Sequence, residues 1–123
     1  MKEISIYIPT GDLQHITSIM RNHNVGGITF YEINGAGRTK RDSIPEIVQS
    51  YMTGRSITPD YVKRIKVELV VPDSEANNII DDISNSLSKH ADNEAHGMIF
   101  VKDISDAIEI GTKQRGESAL TSK

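Results

Sequence analysis

Val62-Lys63-Arg64-Ile65-Lys66-Val67-Glu68-Leu69-Val70-Val71 is the most regular run in the chain. Ile65, Val67 and Leu69 alternate with Arg64, Lys66 and Glu68, so the two sets point to opposite faces of a strand with one face buried. Directly after it, Pro72-Asp73-Ser74 opens a helix whose inner face carries Ala76, Ile79, Ile80, Ile83 and Leu87. Towards the N-terminus, residues 2–9 (KEISIYIP) repeat the alternation with Ile4, Ile6 and Ile8 on one side. Thr10-Gly11-Asp12 breaks that strand, and Asp12 is placed to cap a helix carrying Leu13, Ile16, Ile19 and Met20. Residues 28–34 (ITFYEIN) alternate again, with Ile28, Phe30 and Glu32 opposite Thr29, Tyr31 and Ile33, and Gly35-Ala36-Gly37 closes them. Residues 97–102 (GMIFVK) form a last short strand, after which Asp103 to Ile108 reads as a helical turn and Glu109 to Gly111 as an extended piece.

The order is strand, helix, strand, long connection, strand, helix, strand. That is the α+β, ferredoxin-like βαββαβ pattern, expected as one domain over residues 1–112 with a polar, mobile tail over 113–123. Two helices cover one face of such a sheet. The apolar side chains on its other face predict self-association. Residues 38–60 carry Arg38, Lys40, Arg41, Arg55 and two prolines without a sustained period, and compact domains seldom keep so long a loop without a use for it.

The bulk properties mainly exclude. With 123 residues the chain suits one small core that oligomerisation would complete. It has no cysteine, which rules out disulfides and thiolate metal sites. A formal charge of -3 with interspersed signs argues against general nucleic-acid binding. No signal-peptide pattern follows Met1, and no run reaches the roughly 20 apolar residues needed to span a bilayer, so a soluble, cytoplasmic protein is expected.

Four segments together resemble the PII family of small signal proteins: Gly27 to Arg38 (GITFYEINGAGR), Val62 to Asp73 (VKRIKVELVVPD), His96 to Val101 (HGMIFV) and Ala107 to Leu120 (AIEIGTKQRGESAL). The resemblance covers nearly the whole chain. It implies a non-enzymatic homotrimeric regulator of nitrogen and carbon metabolism that binds adenine nucleotides in clefts between subunits. It also implies that the long loop, about 38–60, is a T-loop docking on a target such as a membrane transporter or a metabolic enzyme. Thr29, Glu68 and Val70 match positions lining the adenine and ribose side of the family's cleft, and Gly97 a glycine facing the phosphates. Gly35, Ala36, Gly37 and Arg38 match its glycine turn, where successive N–H groups form an anion nest and an arginine clamps phosphate. On sequence alone a plain glycine-rich turn accounts for that tripeptide equally well, and the resemblance weighs against it.

The departures bear on the ligand. Met98, Glu109 and Gly111 stand where the family has phosphate-binding cations. At about 1.5–3 kcal/mol per charge-assisted bond, three losses weaken triphosphate binding by roughly 5 kcal/mol, or several thousandfold. ADP, AMP or a cyclic nucleotide is therefore expected over ATP, unless Lys102, Lys113 or Arg115 compensates. Thr39 replaces a glutamine used with magnesium and 2-oxoglutarate, while Lys40 and Arg64 still offer a carboxylate site for an effector. Tyr51 lies in the loop, where some members are covalently modified, but the family's Tyr-Arg-Gly-x-Glu-Tyr pattern is not reproduced.

Two other classes compete. His90, Asp92, Glu94 and His96 cluster locally, and a ferredoxin-like trimer binding divalent metal is one alternative, although such a cluster is more often a solvated loop. An interaction adaptor with no nucleotide ligand is the other. No nucleophile with a paired acid and base marks an enzyme.

Overall fold

A computed structural model describes residues 1–23, 25–35, 62–88 and 97–121. Strand β1 (Lys2–Pro9) leads through a 3-10 turn (Thr10–Asp12) into helix α1 (Leu13–Asn22). Strands β2 (Thr29–Gly35) and β3 (Val62–Val71) follow, then helix α2 (Asp73–Ser88), strand β4 (Met98–Asp103) and the short helix α3 (Glu117–Thr121). All neighbouring strands run antiparallel in the order β2-β3-β1-β4, the ferredoxin-like sheet predicted by the element order.

The core lies between the helices and one face of the central strands. Ile4, Ile6 and Ile8 pair across with Leu69, Val67 and Ile65, and all six are buried. Ile16 and Met20 of α1 and Ala76, Ile79, Ile83 and Leu87 of α2 close over them. Each large aliphatic side chain so buried contributes about 1.5–3 kcal/mol by leaving water, so the central strands and α2 dominate the stability. The helices are also tied to each other where His23 Nε2 meets Asp82 Oδ2 at 2.6 Å.

Four local expectations differ from what forms. Asp12 occupies the N-cap of α1, but its backbone is already helical (φ -93°, ψ -2°) and its side chain makes no capping bond, because the 3-10 turn before it leads straight into the helix. Residues 104–107 are irregular rather than a helical turn, and Glu109 to Gly111 enters a turn instead of extending. Asp106 is the reason: its carboxylate accepts from the Ala107 N–H and pairs with Arg115, pulling the chain back on itself into the Ile108–Arg115 bridge. The segment read as a mobile tail carries α3, which packs against β3, with the Leu120 carbonyl tight against Gly26.

Candidate functional site

The period of a strand sends Thr29, Tyr31, Ile33 and Gly35 of β2 to the face opposite the core, together with Arg64, Lys66, Glu68 and Val70 of β3. Pairing turns these sets into rows. Thr29, Glu68, Ser5 and Phe100 are neighbours across four strands, as are Tyr31, Lys66, Tyr7 and Met98. Helices α1 and α2 pack on the other face. Tyr31 (42%), Phe100 (55%) and Met98 (57%) remain exposed on this one.

Lys66 stands at the centre of the face. Its ammonium lies 3.0 Å from Glu68 Oε1, and the Tyr31 hydroxyl donates to the same oxygen at 2.9 Å. The ammonium also sits 5.4 Å from the Tyr7 ring centre and 5.7 Å from that of Tyr31, within cation–π range. Phe100 meets Tyr7 edge-on, centroids 5.6 Å apart at 86°. Bonding to Glu68, then to Tyr31 and Tyr7, raises the Lys66 ammonium above its ordinary value. Lys66 first, and Tyr31 second, hold the Glu68 carboxyl below its ordinary range. Glu68 is thus a fixed, ionised acceptor between Lys66 and Tyr31 on this face.

Gly97, just before β4, has φ +133°, and a Cβ there would fall 2.0 Å from the Tyr7 carbonyl oxygen. Only glycine lets the chain enter β4 so close to β1.

Past β4, the residues named as compensating cations are mostly engaged. Lys102 Nζ lies 3.0 Å from Glu3, and Arg115 bonds the Asp106 carboxylate through Nε at 3.1 Å and through Nη2. Lys113 is exposed, with φ +66°. The Glu109 carboxylate folds back onto its own turn, accepting from the Thr112 N–H at 2.5 Å. That N–H, the Thr112 hydroxyl and the Gly111 N–H hold it below the usual carboxylate range.

Of the residues expected at the site, Thr29, Gly35, Arg64, Glu68 and Val70 share the face opposite α1 and α2, and Gly97 lies beside Tyr7 at its other side. Ala36, Gly37, Arg38, Thr39, Lys40 and Tyr51 lie outside the described residues, as do His90, Asp92, Glu94 and His96. Among the described residues no cluster of three or more histidine or acidic ligands is arranged for a metal, and no helix is long and apolar enough to cross a membrane. Sequence reasoning missed Lys66, Tyr31 and Tyr7. Their parity matched that of Glu68, but their meeting depends on register.

Comparison with known proteins gives a consistent result. The sequence pattern of the family described as Nitrogen regulatory protein P-II matches residues 1–114. Nitrogen regulatory protein P-II of Rhizobium meliloti is 28% identical over 98% of this chain and 100% of its own length. The protein of that name from Rhodobacter capsulatus, and P-II 1 of Escherichia coli K12, are each 26% identical with the same coverage. The solved structure of B. subtilis GlnK superposes with a TM-score of 0.71 over 97% of each chain at 21% identity, a likeness of fold.

Proposed function

This chain belongs to the nitrogen regulatory protein P-II family, whose members are signal-transduction regulators of nitrogen metabolism, and we propose that it works as a homotrimer binding an adenine nucleotide in the clefts between subunits. Ligand binding shifts the loop of about residues 38–60 between two populations, of which one docks on a target protein. The observation that carries this reading is the face of the sheet opposite α1 and α2. The expected ligand residues Thr29, Arg64, Glu68 and Val70 lie there, beside the exposed Tyr31, Phe100 and Met98. Aromatic surface of this kind is normally covered by a partner, and a closed ring of identical copies covers it for every subunit at once.

The ligand follows from charge. Lys66, Lys102 and Arg115 are paired with Glu68, Glu3 and Asp106, and Met98, Glu109 and Gly111 add no cation. AMP, ADP or a cyclic nucleotide suits this setting better than ATP. Lys40 and Arg64 are the residues proposed to meet a carboxylate effector, and Tyr51 the residue open to modification.

Light scattering after size exclusion, with a thermal-shift panel of ATP, ADP, AMP, cyclic nucleotides, 2-oxoglutarate and bicarbonate, tests the reading. The expected result is a trimer whose melting temperature rises most with a mono- or diphosphate; about 2.7 kcal/mol is gained at a hundredfold excess over Kd. A dilute monomer indifferent to every ligand would overturn it. A strongest response to ATP, magnesium and 2-oxoglutarate together would overturn the ligand preference alone. Tight, stoichiometric binding of a divalent metal without any nucleotide response would favour the metal-binding alternative.

A further inference from the structure

Between Ile108 and Arg115 the chain doubles back around an anion of its own. The Ile108–Arg115 bridge closes the turn, the Glu109 N–H donates to the Gln114 carbonyl at 2.9 Å, and the Lys113 N–H to the Glu109 carbonyl at 2.8 Å. Inside it, the Thr112 N–H donates to the Glu109 carboxylate at 2.5 Å, and that N–H, the Thr112 hydroxyl and the Gly111 N–H together hold the carboxyl below its ordinary range. Gly111 approaches so closely that a Cβ there would stand 3.3 Å from Oε2 and 3.5 Å from Oε1. Consecutive backbone N–H groups converging on an oxyanion form a nest, and a ligand's phosphate is held in the same way. The adjacent Arg115 does not neutralise the arrangement, since its guanidinium is engaged by Asp106. Ile108 (55%) and Ile110 (81%), on either side of Glu109, present the turn outwards.

We propose that Glu109 is the built-in occupant of an oxyanion nest formed by Gly111 and Thr112, and that by filling it Glu109 bars a phosphate group from this turn and sets the charge of the ligand the protein accepts. The occupied nest stands on the turn's own geometry; the consequence for the ligand rests on the nucleotide reading above. An incoming phosphate loses twice here. The N–H groups it would use are already bonded, and it meets a carboxylate.

The test uses the full chain, 15N-labelled, as the unmodified protein and as Glu109→Ala and Glu109→Gln, with inorganic pyrophosphate as probe. Pyrophosphate should leave the Gly111 and Thr112 amide signals of the unmodified protein in place. In Glu109→Ala it should move them saturably while the β1 amides stay put. Glu109→Gln keeps the shape and an acceptor without the charge, and its response should fall between the two. Equal movement in all three proteins, or movement in none, overturns the occupied nest. In parallel, calorimetry with ATP and AMP should show the ATP-to-AMP affinity ratio rising about tenfold in Glu109→Ala, the effect of one freed charge-assisted contact. An unchanged ratio with nucleotide still bound overturns the role of Glu109 in selectivity and leaves nucleotide binding standing. Binding of neither nucleotide to any of the three removes both the nucleotide reading and that role. Should Glu109→Ala lose its β1 amide dispersion, Glu109→Gln decides both arms.

Discussion

Lys66 shows how one side chain organises a face. Its ammonium holds Glu68 ionised while two tyrosine rings flank it. Because Glu68 is depressed, its contribution is complete above the ordinary glutamate value, about 4.3, and is lost as pH falls through the lower folded value. Because Lys66 is raised, its contribution is complete below the ordinary lysine value, about 10.4, and is lost only as pH rises through the higher folded value. Lys66→Met should therefore return the Glu68 titration towards the ordinary range, read by carboxyl NMR, and lower stability at neutral pH while flattening its decline below about pH 4.3. Gly97 is the other decisive position. Gly97→Ala drives a Cβ into the Tyr7 carbonyl at a positive φ, and urea unfolding should show a loss of about 1–3 kcal/mol. The sequence marked Gly97 only through the resemblance, as a glycine facing phosphates. That the Tyr7 backbone is what excludes a side chain was not readable there, because the clash is between strands 90 positions apart.

The strands and α1 and α2 were plain from period, with Ile4, Ile6, Ile8, Ile79 and Ile83 buried on the expected sides. The C-terminal elements were not, since no period marks them. Residues 104–116 are ordered by the Asp106–Arg115 pair and by turn bonds, contacts that leave no repeating hydrophobic pattern. Helix α3 spans only Glu117–Thr121, and a helix so short has little stability of its own, so it depends on docking. Gly26→Ala tests that dependence. The new Cβ would lie 2.6 Å from the Leu120 carbonyl oxygen and force α3 away. Amide exchange over residues 117–121 should quicken while global stability falls by no more than about 1 kcal/mol, since the core is untouched.

At the level of the molecule, the two faces of the sheet have different fates. One is sealed by α1 and α2. The other keeps Phe100 and Met98 more than half exposed, around the Lys66–Glu68 pair. Phe100→Glu should convert the proposed trimer into folded monomers, seen as a drop in sedimentation coefficient with an unchanged far-ultraviolet spectrum. The monomer itself should lose only the Tyr7–Phe100 edge contact, about 0.5–1.5 kcal/mol. A variant that remains trimeric would place the subunit interface elsewhere.

Alternation and helical spacing are local properties, so the order of elements, their buried sides and the side of the sheet carrying Thr29, Arg64, Glu68 and Val70 could be read from the chain alone. Strand register, the closed turn around Glu109 and the seat of α3 could not. Each is set by contacts between residues far apart in sequence or by backbone hydrogen bonds, and these acquire definite partners only once the chain has folded. Glu109 makes the point: in the sequence it is an acid where a cation was expected, and in the fold its carboxylate is bonded to the N–H groups of its own turn.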